Sequence, residues 1–133
     1  MKNKKIIWYH PLILFGFALF LTNSCKKDEA QTPVLSTSMV SYITGTTANC
    51  GGNITSDGGS SITVRGVCWS TGTIPSITDN KTTNGKGVGS FKSAISGSNP
   101  VSTYYVRAYA TNRVGTGYGV AISFTTIPVA VGE

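Results

Sequence analysis

Three cysteines, one histidine and five carboxylates are the side chains from which this 133-residue chain could assemble nucleophilic, redox, metal or acid-base chemistry. The cysteines are Cys25, Cys50 and Cys68, the histidine is His10, and the acids are Asp28, Glu29, Asp57, Asp79 and Glu133. Cys50 and Cys68 stand 18 positions apart without a CxxC pair, and His10 lies inside an apolar N-terminal run, so no zinc or dithiol redox set forms. General acid-base catalysis needs paired carboxylates or a histidine in a concave site, and the plentiful serines and threonines are inert as nucleophiles without a base. Asp79-Asn80 lacks the spaced carboxylates that calcium requires. Gly85-Lys86-Gly87-Val88-Gly89 precedes no helical pattern and reads as a flexible turn rather than a phosphate cradle, and Asn53-Ile54-Thr55, a sequon in form, reads as strand surface. The expectation is a protein that is not an enzyme and takes no cofactor or metal. Acylation and disulfide formation are the reactions left to its thiols.

The elements that must position those thiols begin with an export segment. Lys2, Lys4 and Lys5 precede an apolar run from Ile6 to Leu21, and Thr22, Asn23 and Ser24 lead into Cys25, the three-part layout of a secretory signal. The run is shorter than the roughly 20 residues that span a bilayer as a helix, and Pro11 and Gly16 weaken it further. A small residue directly before a cysteine at this point resembles the lipobox of bacterial lipoproteins, with Thr22 where a leucine is usual. The following Cys25-Lys26-Lys27-Asp28-Glu29 resembles the mature start of many Bacteroidota lipoproteins. The resemblance implies a signal over residues 1–24, acylation of Cys25, a tether over 25–32, and anchoring to a bacterial membrane, at the outer membrane or cell surface. An ordinary cleaved signal with a free Cys25 is the alternative, but it leaves an odd thiol count in an exported protein, whereas a lipidated Cys25 leaves a pair. Removing the three signal lysines turns 11 bases against 5 acids into 8 against 5, a net +3 in place of +6. The basic balance is therefore partly a property of the signal, and nucleic acid is not an expected partner.

Beyond the tether the chain reads as short strands. A first edge strand falls near Val34 to Ser36, and Ala48, Cys50, Gly52 and Ile54 alternate with polar or small residues at the period of two of a half-buried strand. Asp57-Gly58-Gly59 turns the chain into a strand over Ile62 to Ser70, and a long polar connection over 71–89 holds a short strand at Lys81 to Thr83. Further strands run over Phe91 to Ile95 and Thr103 to Asn112, and Tyr118 to Thr126 returns after a hairpin turn at Asn112 to Gly117. About seven strands at this spacing predict an all-β, immunoglobulin-like sandwich over residues 33–127, with 128–133 as a tail or linker.

The run from Asn99-Pro100 through Tyr104 to Asn112-Arg113-Val114-Gly115 resembles the end of a fibronectin type III domain, where a proline turn precedes a tyrosine-corner strand. Together with Cys50-Gly51-Gly52-Asn53 and Arg65-Gly66-Val67-Cys68-Trp69-Ser70, it resembles a fibronectin-type-III-like module of Bacteroidota surface lipoproteins. The resemblance implies that Tyr104 takes the corner position with its hydroxyl on the preceding turn, and that Tyr105 faces solvent. Ser98 sits where such domains place a core leucine. It also implies a monomeric, membrane-anchored adhesion or spacer module.

Two further expectations depend on strand parity. If Cys68 shares the parity of Ile62, Val64 and Gly66, Cys50 and Cys68 point into one core from opposite sheets and a disulfide is expected, two buried free thiols being the alternative. Under the same parity Arg65, Val67 and Trp69 face outward beside Tyr105, Arg107 and Tyr109, giving an aromatic and basic face suited to a glycan or protein ligand. Cross-strand ladders of these residues also stabilise a sheet without any partner. The opposite parity buries Trp69, exposes Cys68 and removes both the bridge and the face.

Overall fold

The computed structural model describes residues 29–130; Cys25 and the signal segment 1–24 lie outside the described residues. Eight strands follow one another: β1 (Val34–Thr37), β2 (Ala48–Ser56), β3 (Val64–Ser70), β4 (Asn80–Lys81), β5 (Gly89–Ile95), β6 (Thr103–Thr111), β7 (Thr116–Tyr118) and β8 (Ile122–Thr125). They form two sheets, one in the order β1-β2-β5 and the other in the order β4-β3-β6-β7, with β8 also paired to β6. All pairings are antiparallel. This is an all-β, immunoglobulin-like sandwich of two packed antiparallel sheets. The expected return strand is divided into β7 and β8 by residues 119–121, which raises the count from seven to eight.

Side chains of one parity on each strand fill the space between the sheets. Ala48, Cys50 and Ile54 of β2 and Phe91 and Ile95 of β5 meet Val67 and Trp69 of β3 and Tyr104, Val106, Ala108 and Ala110 of β6. One open side of the sandwich is closed by β1, where the Ala108 amide donates to the Thr37 hydroxyl at 3.0 Å. The chain passes so near the partner sheet there that a Cβ on Gly117 would run into the Pro33 carbonyl, which is why glycine occupies that position.

The parity of β3 is the reverse of the one that would pair Cys50 with Cys68. Ile62 belongs to the core, yet so do Val67 and Trp69, so the alternation breaks between them. It breaks at Thr63, whose amide donates to the Thr111 carbonyl at 2.8 Å although Val64 is the register partner of Thr111. Two residues thus face one, as in a β-bulge, and a parity counted from Ile62 reaches Cys68 one residue out of step.

The chain enters at one pole of the sandwich and leaves at the other. At the entry pole the Gln31 amide donates to the Gly58 carbonyl at 2.8 Å, and Asn112 Nδ2 donates to the carbonyls of Gln31 (2.7 Å) and Asp57 (2.8 Å). At the exit pole the Ile127 amide donates to Thr44 O at 3.2 Å and the Thr126 amide to Ser102 O at 2.9 Å. Between the poles runs β2, nine residues long, or roughly 30 Å of extended chain.

Candidate functional site

The aromatic and basic face expected from the sequence does not form. Trp69 faces Val106 in the register and is only 5% exposed, as part of the core. Arg65 is also on the inward parity, but at the margin of the sandwich. Its Nε donates to Asn84 O at 3.0 Å, its Nη1 donates to Gly87 O at 3.1 Å and Val88 O at 3.2 Å, and its guanidinium lies 5.1 Å from the centre of the Phe91 ring. A single cation thus fastens the glycine-rich segment 84–88 against both sheets, aided by a 2.6 Å bond between the hydroxyls of Thr82 and Ser93.

Tyr105, Arg107 and Tyr109 do share the outer face of β6, opposite Ser70, Cys68 and Gly66. That face is covered. The Tyr109 hydroxyl donates to the Thr82 carbonyl at 2.6 Å, and the residue is 1% exposed. A Cβ on Gly66 would occupy the place of that same carbonyl, so glycine is what lets the connection lie this close. Arg107 donates through Nε to Pro75 O at 2.6 Å, and its guanidinium stacks 3.7 Å from the centre of the Tyr118 ring. The Tyr118 hydroxyl in turn accepts from the Ile77 amide at 3.2 Å. The long connection between β3 and β5 is tied down over these residues of β6, and of the expected face only Arg65, Tyr105 and Arg107 keep partial exposure.

The expected disulfide is also absent: Cys50 and Cys68 are both free and buried. Cys50 lies in the core opposite Ser93, whereas Cys68 lies on the outer face opposite Arg107, so a sheet stands between the thiols. Neither is poised as a nucleophile. Burial pushes the Cys68 thiol up to about 11 against the opposing pull of Arg107, with Asp79 adding to the rise, and burial likewise raises Cys50.

Tyr104 is buried at the end of the core, its ring stacked on Phe124 with centroids 5.7 Å apart. Its hydroxyl accepts from the Asn99 amide at 2.8 Å, which holds the turn before β6. Thr126 completes that turn from across the sheet, its hydroxyl accepting from the Ser102 amide at 2.9 Å and donating to Asn99 O at 2.6 Å. Ser98, at 4% exposure, leaves its hydroxyl buried without a partner. Val101 adopts φ 51°, a left-handed conformation rare for a β-branched residue.

What remains open is the outer face of the three-stranded sheet. A groove of about 670 Å³ lies there between the segment 38–42, which continues along β2 through a bridge of Ser41 to Asn49, and β5. Ser41, Tyr42, Asn49, Ser90 and Lys92 are among its lining residues. Sequence reasoning passed over it, because residues 38–47 show no strand period and carry no charge. The signal was Tyr42, the one aromatic residue between Phe20 and Trp69.

No family model matches the chain, and no curated protein matches it. Solved structures do. The sensor domain of the anti-sigma factor RsgI4 of Pseudobacteroides cellulosolvens is similar at a TM-score of 0.52 and 14% identity, over 72% of this chain and 76% of that one. Domains A168–A170 of titin match at 0.51 and 20% identity, over 76% of this chain and 33% of that one. The sixth fibronectin type III domain of a human fibronectin type III domain containing protein matches at 0.45 and 21% identity, over 83% and 97%. At such identities the likeness to the first two is one of fold alone.

Proposed function

We propose that the chain is a non-enzymatic module fixed to a bacterial membrane through acylated Cys25, acting as a surface spacer with an adhesive role. The observation that carries this reading is the pole-to-pole path of the chain. The tether of residues 25–32 reaches at most about 25 Å and joins the entry pole, so anything attached beyond Thr126 is carried outward by the length of the sandwich. The fixings support a stiff element: Arg65, Arg107, Tyr109 and Asn112 all hold connections to the strands. Two or more acyl chains would make the attachment stable, since one alone binds marginally. Metabolic labelling with a fatty-acid analogue tests the anchor. The native protein is expected to take up label and to sediment with membranes, and Cys25→Ser to do neither; equal labelling of the two, or membrane retention of Cys25→Ser, overturns the reading.

A further inference from the structure

Tyr42 is 80% exposed and takes φ 51°, so the fold holds an aromatic ring in solvent on a left-handed backbone without any packing reason. It stands at one wall of the groove on the outer face of the three-stranded sheet, next to Met39, itself 83% exposed. Asn49, Ser90 and Lys92 line the groove from the outward parity of β2 and β5 and Cys50, Phe91 and Ser93 from the inward parity, with Lys92 opposite Gly51, which contributes no side chain to the outer face. No hydrogen bond within the described residues engages the side chains of Ser41, Tyr42, Asn49 or Lys92. Most other hydroxyls near the poles are engaged locally, as in the pairs Thr44 with Thr47 and Thr103 with Thr125.

We propose that this groove binds a neutral polysaccharide, with the Tyr42 ring stacked on a sugar face and Ser41, Asn49 and Lys92 bonding its hydroxyls. The chemistry selects that ligand. An exposed ring offers a flat apolar face, while amide, hydroxyl and ammonium groups supply donors and acceptors in an open cleft. Of the groove's lining residues only Lys92 is charged, too little to select an acidic polymer. The groove also runs along the side of the module between the poles, so it stays accessible however either pole is held. This deepens the adhesive reading, and the two fail separately: loss of the anchor leaves binding in solution intact, and loss of binding leaves the anchor intact.

Affinity electrophoresis of the full-length protein through gels cast with soluble starch, xylan or mannan, with alginate as the acidic control, tests the proposal. At least one neutral polymer should retard the native protein more than alginate does. Tyr42→Phe should keep that retardation, and Tyr42→Ala should weaken binding roughly tenfold or more, the loss of one stacking contact. Lys92→Ala and Asn49→Ala should weaken it by smaller factors, and they carry the test if Tyr42→Ala does not fold. Tyr42→Asn is the sharpest variant, because asparagine tolerates the left-handed backbone: it should unfold at a higher temperature than the native protein while losing the polysaccharide. No retardation by any of the three neutral polymers overturns the proposal. So does undiminished binding by Tyr42→Ala, or capture of an immobilised extended peptide library in place of the polymers.

Discussion

Tyr104 and Tyr105 are neighbours with opposite duties. The hydroxyl of Tyr104 satisfies a backbone amide five residues earlier, and Tyr105, half-buried on the outer face, has no comparable bond. Tyr104→Phe should therefore cost about 1 kcal/mol and lower the denaturation midpoint, whereas Tyr105→Phe should leave it nearly unchanged. Nearby Ser98 fits its place poorly. Ser98→Ala removes a buried hydroxyl that has no partner and should stabilise by about 1 kcal/mol. Cys68 supplies a pH test. Its folded pKa, about 11, lies above the ordinary thiol value of 9.0, so the folded state holds the proton more tightly than the unfolded chain. The resulting stability is complete below pH 9 and is lost as pH rises toward 11. Urea titrations across that window should show a shallower alkaline decline for Cys68→Ala than for the native protein, and reducing agent should leave the native midpoint where it is.

At the scale of elements, much of the sandwich was legible from alternation alone. The inward residues of β2, β5 and β6 follow the period of two that Ala48, Cys50 and Ile54, Phe91 and Ile95, and Val106 and Ala108 display. Strand β3 was not legible, for a physical reason. Val64 to Trp69 has apolar residues on both parities, so either face satisfies the pattern, and the choice falls to the irregularity at Thr63. The coverage of the outer face was equally hidden, because it depends on bonds such as Tyr109 to Thr82, 27 residues apart, that no local pattern announces. The fixing of residues 84–88 by Arg65 is the most exposed part of this account to test. Arg65→Met keeps the stem over Phe91 but removes three donated bonds. Amide exchange at residues 84–88 should then rise well above that of the native chain, while the core amides of β6 keep their protection. Equal acceleration in both places would mean that Arg65 supports the whole fold rather than that connection.

For the whole molecule, the paths of entry and exit matter more than any single contact. Asn112 bonds the carbonyls of Gln31 and Asp57 while its own Oδ1 accepts from the Val114 and Gly115 amides, so the incoming chain is tied to two loops at once. At the far end the amides of Thr126 and Ile127 secure the departing chain to Ser102 and Thr44. With both ends fixed and the strands running between them, a pull or a tether acts along the sandwich rather than across it. The direct measurement is the height of each pole above the bilayer. Single cysteines placed at Ser61, beside the entry pole, and at Ala130, beyond the exit pole, can be labelled selectively because Cys50 and Cys68 are buried. Energy transfer from these dyes to an acceptor in the lipid headgroups of a bilayer carrying the acylated protein reads both heights. The account predicts that position 130 stands farther from the membrane than position 61 by about 30 Å, the length of the nine-residue β2. Equal heights, or the exit pole lying nearer the lipid, would contradict it.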